Sequence, residues 1–478
     1  MTDCLGVRDG MSLQETVDGL GQLINGELVT SGETIAVVNP ATGEVAAQCP
    51  AATTAMVDDA MAAAAAAFPA WSTTPEAQRQ AVIRQLADAI EAVYPELETL
   101  AAVEKGNAGG AAEGFAAIWF GRHIAEQNLA VDVIEDTPDR QVTVVRAPVG
   151  VVTAIAPWNA PMLIIVEKIL TALLVGNTVV AKTSPFTPLA TLRIAKAWKD
   201  IAPPGVVNIL AGGDEVGKAM VAHPTARMIS FTGSAAAGRS IAATAATTLK
   251  NVLLELGGND AAIVLGDVDV TKVAEGIFAS AFLMSGQACA LVKRVYAHDS
   301  IYDALVAELA ELARKKAAEL PPLTTKPQFE RVKMLVDDAI AHGGKAVTGG
   351  APTGTGYFYP PTIMTGVGPG VRVVDEEQFG PVLPIVPFSD VDWAIEQANG
   401  TEYGLCGSIW TADVALGEQL ATRLVCGTVW LNQHTEIDPK IPFGGVKSSG
   451  IGRNNGQVGT DAYAELQTRI FYKKSDRV

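Results

Sequence analysis

The sequence predicts an α/β fold made of two doubly wound lobes, with further β-strands that form a separate arm. Three observations predict this architecture. Strand-like and helical runs alternate from residue 177 to 248, a second alternation follows residue 253, and β-rich segments lie near residues 140 and 470. Such alternation is typical of βαβ units that build a parallel sheet. At 478 residues the chain is also too long for one ordinary core.

The elements follow in chain order. An alanine-rich helix over 53–68 should end before Pro69, because proline lacks a backbone N–H. One helix is predicted over 78–100, and the segments 141–146 and 150–156 are predicted to form a hairpin or two crossing strands. The first alternation comprises strands 177–182, 205–210 and 228–232 and helices 188–201, 217–223 and 235–248. The second comprises helices 270–282, 302–319 and 327–342 and strands 294–298, 381–388, 407–410 and 427–432. The tail 464–473 is predicted to be extended, and the arm strands near 140 and 470 are expected to pair across subunits.

Composition excludes several classes of partner. The formal net charge is −17 and no run of Lys or Arg offsets it, so nucleic acid and anionic membranes are not expected to bind. The most apolar stretch, 162–175, is interrupted by Glu167 and Lys168, so no membrane span is predicted. The N-terminus shows no signal-peptide pattern. Scattered cysteines and histidines predict a cytoplasmic protein without disulfides or a metal site.

One glycine-rich turn is similar in sequence to the phosphate-binding P-loop of nucleoside triphosphate hydrolases. Residues 212–219 nearly match G-x-x-x-x-G-K-[ST] between a predicted strand and helix. However, Ala219 replaces the hydroxyl residue that should hold Mg²⁺, and Asp214 and Glu215 would repel phosphates. An ordinary strand-to-helix turn is therefore favoured over a P-loop nucleotide hydrolase.

A second glycine turn is a better candidate for binding phosphates. The run Phe-Thr-Gly-Ser at 231–234 ends a predicted strand and precedes a helix. A helix N-terminus presents unpaired N–H groups and a positive dipole end, which suit a pyrophosphate. The G-x-G-x-x-G fingerprint of ordinary dinucleotide folds is missing from the sequence, so this turn alone does not establish cofactor binding.

Three residues carry candidate chemistry. Cys289 follows Gly-Gln-Ala at 286–288; a lone cysteine is more often a small buried hydrophobe than a nucleophile, and a catalytic thiol needs a nearby base or dipole. Glu255, in an apolar run before two glycines, is either a cap or a base for the thiol or a water. Asn159 either bonds its own backbone or donates to an oxyanion.

Seven motifs in order resemble the aldehyde dehydrogenase superfamily, over residues 37–472. They are Pro-Trp-Asn at 157–159, Lys-x-Ser-Pro at 182–185, Phe-Thr-Gly-Ser at 231–234, Glu-Leu-Gly-Gly at 255–258, Gly-Gln-x-Cys at 286–289, Glu-Glu-Gln-Phe-Gly-Pro-Val at 376–382 and Pro-Phe-Gly-Gly at 442–445. The resemblance implies that Cys289 attacks an aldehyde to give a thiohemiacetal, with its oxyanion between the Asn159 side chain and the Cys289 N–H. Hydride transfer to a nicotinamide would leave a thioester, which Glu255 hydrolyses to the acid through a water.

Family relatives that pass the acyl group to coenzyme A lack this glutamate, so Glu255 favours hydrolysis. Two alternatives stay open at this point. One is a catalytically silent relative, which would be expected to have lost Cys289 or Glu255. The other is a thiol esterase that never uses the cofactor.

The resemblance also implies binding residues and domain bounds. The NAD(P)-binding lobe would be 1–127 with 149–256, the catalytic lobe 257–448, and the arm 128–148 with 459–478, giving a homodimer or homotetramer. Cofactor contacts would come from Ile155, Ala156, Pro157, Trp158, Lys182, Ser184, Pro185, Gly213, Gly217, Phe231, Thr232, Gly233, Ser234, Leu256, Gly257, Glu377 and Phe379. Of these, 155–158 would line the adenosine side, Lys182 and Ser184 the ribose and its neighbourhood, Gly213 and Gly217 the adenine end, Ser234 the pyrophosphate, and Glu377 and Phe379 the nicotinamide ribose. The pocket for a small aldehyde would draw on Ala160, Ile164, Glu167, Ala288, Ala290, His434, Ile437 and Phe443.

Three positions depart from or extend the family pattern. Many relatives carry a ribose-binding glutamate where this chain has Pro185, which leaves NADP open beside NAD; NAD is favoured because no new arginine appears there. Asn454 replaces a glutamate of relatives, so no proton route from Glu255 is expected through that position. Glu167 would either receive a cationic aldehyde or pair with Lys168 or a neighbouring helix.

Overall fold

The computed structural model describes residues 13–106 and 110–474. The predicted bounds of the cofactor lobe and arm also include 1–12, 107–109 and 475–478, which lie outside the described residues. The strands are β1 (Gln22–Ile24), β2 (Glu27–Val29), β3 (Thr34–Asn39), β4 (Glu44–Pro50), β5 (Val131–Asp136), β6 (Arg140–Pro148), β7 (Val151–Ile155), β8 (Thr178–Thr183), β9 (Val207–Ala211), β10 (Ala226–Thr232), β11 (Asn251–Glu255), β12 (Asp260–Val264), β13 (Val292–His298), β14 (Lys345–Ala346), β15 (Thr362–Thr365), β16 (Val382–Phe388), β17 (Cys406–Trp410), β18 (Thr428–Leu431), β19 (Gly450–Ile451) and β20 (Ala464–Tyr472).

Helices fill the connections between most of these strands. They are α1 (Leu13–Asp18), α2 (Thr54–Ser72), α3 (Glu76–Ala92), α4 (Tyr94–Lys105), α5 (Gly110–Ile124), α6 (Pro161–Val175), α7 (Leu189–Trp198), α8 (Asp214–Ala222), α9 (Ala235–Ala246), α10 (Val270–Ala281), α11 (Tyr302–Lys316), α12 (Lys326–Ala341), α13 (Arg372–Asp375), α14 (Val391–Asn399), α15 (Val414–Ala421) and α16 (Gly456–Asp461). Short 3-10 helices cover Leu283–Gly286, Ala317–Glu319 and Lys447–Ser449.

The first lobe is built on an eight-stranded sheet in the order β19-β11-β10-β7-β8-β9-β1-β2. Strands β7 to β11 run parallel to one another, as the alternation predicts. Both faces of β8 are buried, because Val179 and Ala181 join the core under α6 whereas Val180 packs with Met61 of α2. A strand covered on both faces reads as a continuous apolar run, which explains the run at 178–181.

The second lobe is a seven-stranded sheet in the order β14-β15-β16-β13-β12-β17-β18, parallel except for β14. Its strand β12, next to the central β13, also alternates between two cores: Ala261 and Ile263 face one, and Ala262 and Val264 face the other. Two doubly wound α/β lobes are therefore confirmed.

A third sheet, in the order β20-β6-β5, is antiparallel. The extended segments near 140 and 470 pair with each other along their full length within this chain, from Ala464 opposite Pro148 to Tyr472 opposite Arg140. Strands β6 and β7 belong to different sheets, so of the two predicted arrangements the crossing one is present and the hairpin is not. Strand β5 was not predicted from the sequence.

Two helix predictions are wrong at proline. Helix α2 continues through Pro69 to Ser72. The missing N–H of Pro69 removes one hydrogen bond from the last turn, and the burial of Trp71 just beyond it offsets that loss. The single helix predicted over 78–100 is two helices, α3 and α4, which meet at Val93. Pro95 stands at the start of α4, where a helix has no need of its N–H.

Two further observations concern the described part of the chain. None of its helices is long and apolar enough to cross a bilayer. Within 13–106 and 110–474, no three His, Cys, Asp or Glu side chains are grouped in a way that suits a metal ion.

Candidate active site

A cavity of about 450 Å³ opens at the carboxyl ends of β7, β10 and β11, the edge of a parallel sheet where ligands generally bind. The second lobe closes it from the other side. The lining residues are Pro157, Trp158, Asn159, Ile164, Thr232, Gly233, Ser234, Ala235, Ala236, Arg239, Leu256, Gly257, Cys289, Gln328, Arg331, Glu377, Phe379, Glu402 and Tyr403.

Asn159 and Cys289 meet in this cavity. The Asn159 amide Nδ2 donates to the Gln287 carbonyl at 2.9 Å, two residues before Cys289. A side-chain amide has two N–H groups, so this bond orients Asn159 and leaves a second donor for an oxyanion. The Gln287 side chain is bonded in turn, accepting from the Thr324 N–H at 2.8 Å.

The turn before the nucleophile has a constrained backbone. Met284, Ser285 and Gly286 all have positive φ, at 51°, 56° and 74°. A side chain on Gly286 would collide with the Gly380 carbonyl, so glycine is required there. Non-glycine residues in this region are strained, and such strain is concentrated at functional sites.

Cys289 lies among acidic groups. Burial raises the pKa of its thiol to about 12, and Glu255, Glu377 and Asp260 act in the same direction, while Lys293 opposes them. The resting site therefore favours the neutral thiol over the thiolate, which is the nucleophilic form.

Glu255 stands at the end of β11 and is buried. Neither of its carboxyl oxygens has a hydrogen-bond partner among the described residues, and Gly444 approaches one of them so closely that a side chain there would collide. Burial raises the pKa of Glu255 well above its usual value, and the charge of Lys168 opposes this. The carboxyl lies within electrostatic range of Cys289 without lining the cavity.

Nine of the seventeen predicted cofactor contacts come together in the cavity. Pro157, Trp158, Thr232, Gly233, Ser234, Leu256, Gly257, Glu377 and Phe379 all line the cavity. Ser234 caps α9, accepting from the Ala237 N–H at 3.3 Å. Glu377 accepts from the Gly258 N–H at 2.9 Å, and a side chain on Gly257 would collide with the Glu377 carboxyl.

The remaining predicted cofactor residues lie outside this cavity. They are Ile155, Ala156, Lys182, Ser184, Pro185, Gly213, Gly217 and Phe231. Lys182, near the end of β8, packs against the backbone of Gly217 in α8. The fold therefore brings together two of the residues predicted to contact the adenosine end of the cofactor.

Only part of the predicted substrate pocket lines the cavity. Ile164 does, whereas Ala160, Ala288, Ala290, Ile437 and Phe443 do not, although Phe443 and Ala290 pack with Cys289 in one apolar cluster. Glu167 lies in a different, water-sized cleft beside Gln127 and Thr460. Its predicted partner Lys168 donates instead to the Ser230 hydroxyl at 2.9 Å.

His434 also faces away from the cavity. Its side chain is fully buried, with Nδ1 2.9 Å from the Ser408 hydroxyl and Nε2 3.6 Å from the Asp260 carboxylate. The other Asp260 oxygen accepts from the Cys406 N–H at 3.0 Å. This contact between Asp260 and His434 lies beside the apolar cluster that holds Cys289, and Asp260 was not singled out in the sequence.

Sequence reasoning also missed several lining residues. Gln328 donates to the carbonyls of Gln378 and Phe379, and Arg331 donates to the Glu377 carbonyl. Both project from α12 and hold the segment that carries Glu377 and Phe379. The helical period of α12 was visible in the sequence, but nothing in it shows which polar residues face the cavity.

Comparisons with known proteins agree with this geometry. The model of the aldehyde dehydrogenase family matches residues 28–469. The chain is 35% identical to phenylacetaldehyde dehydrogenase of Pseudomonas fluorescens, over 98% of each chain. The NAD+ complex of aldehyde dehydrogenase from Bacillus cereus superimposes with a TM-score of 0.93 at 34% identity, covering 96% of this chain and 98% of that one. An NADP-dependent enzyme of E. coli superimposes with a TM-score of 0.91 at 32% identity, covering 95% and 98%. The chain therefore belongs to the aldehyde dehydrogenase family, whose members are oxidoreductases that act on aldehydes.

Proposed function

We propose that the chain oxidises an aldehyde to its carboxylic acid, with NAD as the acceptor, Cys289 as the nucleophile and Glu255 as the base. The observation that carries the proposal is the shared cavity. Cys289 and Asn159 line the same space as Glu377 and Phe379, so an aldehyde on the sulfur would lie beside the predicted nicotinamide site.

Each residue has a distinct task in this proposal. The Cys289 thiol gives its proton to water and the resulting thiolate adds to the aldehyde carbon, while the free N–H of Asn159 with the Cys289 N–H stabilises the oxyanion that forms. The cofactor, when bound, accepts the hydride that leaves this carbon. The Glu255 carboxylate then takes a proton from a water that attacks the remaining thioester, which releases the acid and the free thiol.

The residues present fit a dinucleotide. The N-terminus of α9 at Ser234 suits a pyrophosphate, and the carboxylate of Glu377 suits ribose hydroxyls. Among structural relatives, one is an NAD+ complex and another is described as NADP-dependent. NAD is favoured here because the Asp214 carboxylate acts on Lys182 at the adenosine end and would repel a 2′-phosphate.

Reduction of each cofactor by a panel of aldehydes tests the proposal. Initial rates are followed at the absorbance band of the reduced nicotinamide, and the acid is identified as the product. A lack of reduction across the panel would contradict the function. A kcat/KM that favours NADP by about tenfold or more would overturn the preference for NAD alone.

We also propose that the lobes divide as 1–127 with 149–256 and 257–448, and that 128–148 with 459–478 form an oligomerisation arm. The two large sheets support this division, although β19 after residue 448 joins the first sheet. A homodimer or homotetramer is supported by apolar side chains left exposed on the arm: Val131, Val133, Ile134, Leu466, Ile470 and Phe471. The cytoplasmic location stays a prediction.

Charge on the arm should break the assembly. Ile470 and Phe471 are 53% and 55% exposed on opposite faces of β20, so Ile470→Asp with Phe471→Asp would place two carboxylates in an apolar interface. We expect light scattering coupled to size exclusion to show the mass of one chain. The control Gln467→Glu changes a polar residue of the same strand. An unchanged mass in the double variant would contradict the arm interface.

Glu167 is not expected to select a cationic substrate. It lies in a separate cleft from Cys289, and burial raises the pKa of its carboxyl to about 7. Glu167→Gln should change the ratio of kcat/KM for an aminoaldehyde and a neutral aldehyde of equal length by less than about twofold. A selective loss of the aminoaldehyde reaction would show that Glu167 does receive a cation.

A further inference from the structure

A buried lysine links the nucleophile turn to the predicted nicotinamide site. Lys293 follows Cys289 by four residues, lies in β13 and is 2% exposed. Its ammonium Nζ donates to the Gly286 carbonyl at 2.7 Å and lies 5.1 Å from the centre of the Phe379 ring. One ammonium therefore contacts both the turn that presents Cys289 and the ring predicted to contact the cofactor.

The charges around Cys289 indicate a role for the Lys293 ammonium. The acidic groups that act on the thiol are Glu255, Glu377 and Asp260, and Lys293 is the cation that opposes them. The groups facing Lys293 are Glu377, Asp260 and Cys289 itself; they favour its charged form, whereas burial lowers its pKa. On its far side, Asp260 is paired with His434.

Structural support alone does not explain a lysine at this position. Its neighbour Arg294 is equally buried, but its guanidinium bonds the carbonyls of Asn259, Gln397 and Ala398 and so ties three chain segments together. The structure gives Lys293 one hydrogen bond of this kind. A buried ammonium is costly unless nearby negative charge compensates it, and a thiolate at Cys289 would add such charge.

We propose that Lys293 is a positioning residue whose buried ammonium favours the ionised sulfur of Cys289 and orients the Phe379 ring. The inference rests on the proposed role of Cys289 as nucleophile. In the acid-lined site, this positive charge would be present before the cofactor binds, and it would be held in place by the Gly286 carbonyl.

Alkylation of Cys289 tests the charge of Lys293 directly. Lys293→Gln keeps a donor for the Gly286 carbonyl and removes the charge, whereas Lys293→Met removes both. The rate of iodoacetamide reaction at Cys289 is followed from pH 5 to 10, without cofactor or aldehyde, by mass spectrometry of the Cys289 peptide. Burial holds the thiol pKa above this range, so the rate at each pH reports the thiolate fraction. Both variants should therefore react at least about tenfold more slowly at every pH, which corresponds to a thiol pKa about one unit higher.

The outcomes separate the alternatives. If both variants keep the wild-type alkylation rate, the proposal is overturned. If only Lys293→Met lowers the rate, the hydrogen bond matters and the charge does not, which also overturns the proposal. Melting temperatures confirm that each variant is folded, and Lys293→Arg, which retains the charge, should lie closer to wild type. Because alkylation needs no turnover, a failure here is distinct from a failure of the proposed oxidation, which replacement of Cys289 tests.

Discussion

Cys289→Ala is expected to abolish cofactor reduction by aldehydes, with kcat lower by at least about 10⁴-fold. The sulfur is the group in the cavity that can form a covalent bond to the aldehyde carbon, and without it hydride would have to leave a free aldehyde or its hydrate. Asn159 would then have no oxyanion held at a fixed position to stabilise. Stopped-flow and steady-state absorbance of the reduced cofactor measure both the first turnover and the later ones.

The matched control is Cys426→Ala. Cys426 is also a free, partly exposed thiol, but it lies outside the cavity that Cys289 lines. This variant should keep wild-type kinetics, and NAD binding followed by protein fluorescence should be retained in both variants. Reduction that continued in Cys289→Ala would remove the thiol from the mechanism, and loss of activity in Cys426→Ala alone would place the reactive sulfur elsewhere.

The sequence predicted the sheets well because a strand buried on both faces has a distinctive pattern. The apolar run at 178–181 is β8, and the run before Glu255 is β11. Prediction from the sequence failed where tertiary contacts outweigh the local conformational preference of the chain. Burial of Trp71 retains a helical turn past Pro69, and β6 leaves its sequence neighbour β7 to pair with β20, more than 300 residues away. Pairing at that distance leaves no local signal in one sequence.

The candidate site was also predicted only in part from the sequence. A proline-flanked turn identified Asn159 and a glycine-containing motif identified Cys289, and the fold brings both to one cavity. The electrostatic surroundings of Cys289 were not predicted, because Lys293 and Asp260 lie in two different strands and read individually as surface or core residues. Charged residues inside an otherwise apolar strand such as β13 are the signal that was present and unused.

Glu255→Gln should separate hydride transfer from hydrolysis. Glutamine preserves the shape of the side chain and cannot accept the proton of a water, so the thioester would form and then persist. We expect a burst of reduced cofactor of about one equivalent per subunit, followed by a steady-state rate lower by about 10²- to 10⁴-fold. Mass spectrometry after proteolysis should show the acyl group on the Cys289 peptide.

The pH dependence provides an independent test of the same base. Glu255 acts only when ionised, and burial raises its pKa well above the usual value, so deacylation should increase as pH rises through that raised pKa. In Glu255→Gln this inflection should vanish. The control Glu104→Gln alters another buried carboxyl, whose pKa is raised to about 8 but which caps α7 through the Leu189 N–H. It should lower the melting temperature and leave the ratio of burst to steady state unchanged. If Glu255→Gln turned over without a burst and with the wild-type pH profile, another group would be the base, and the buried carboxyl beside Gly444 would have only a structural role.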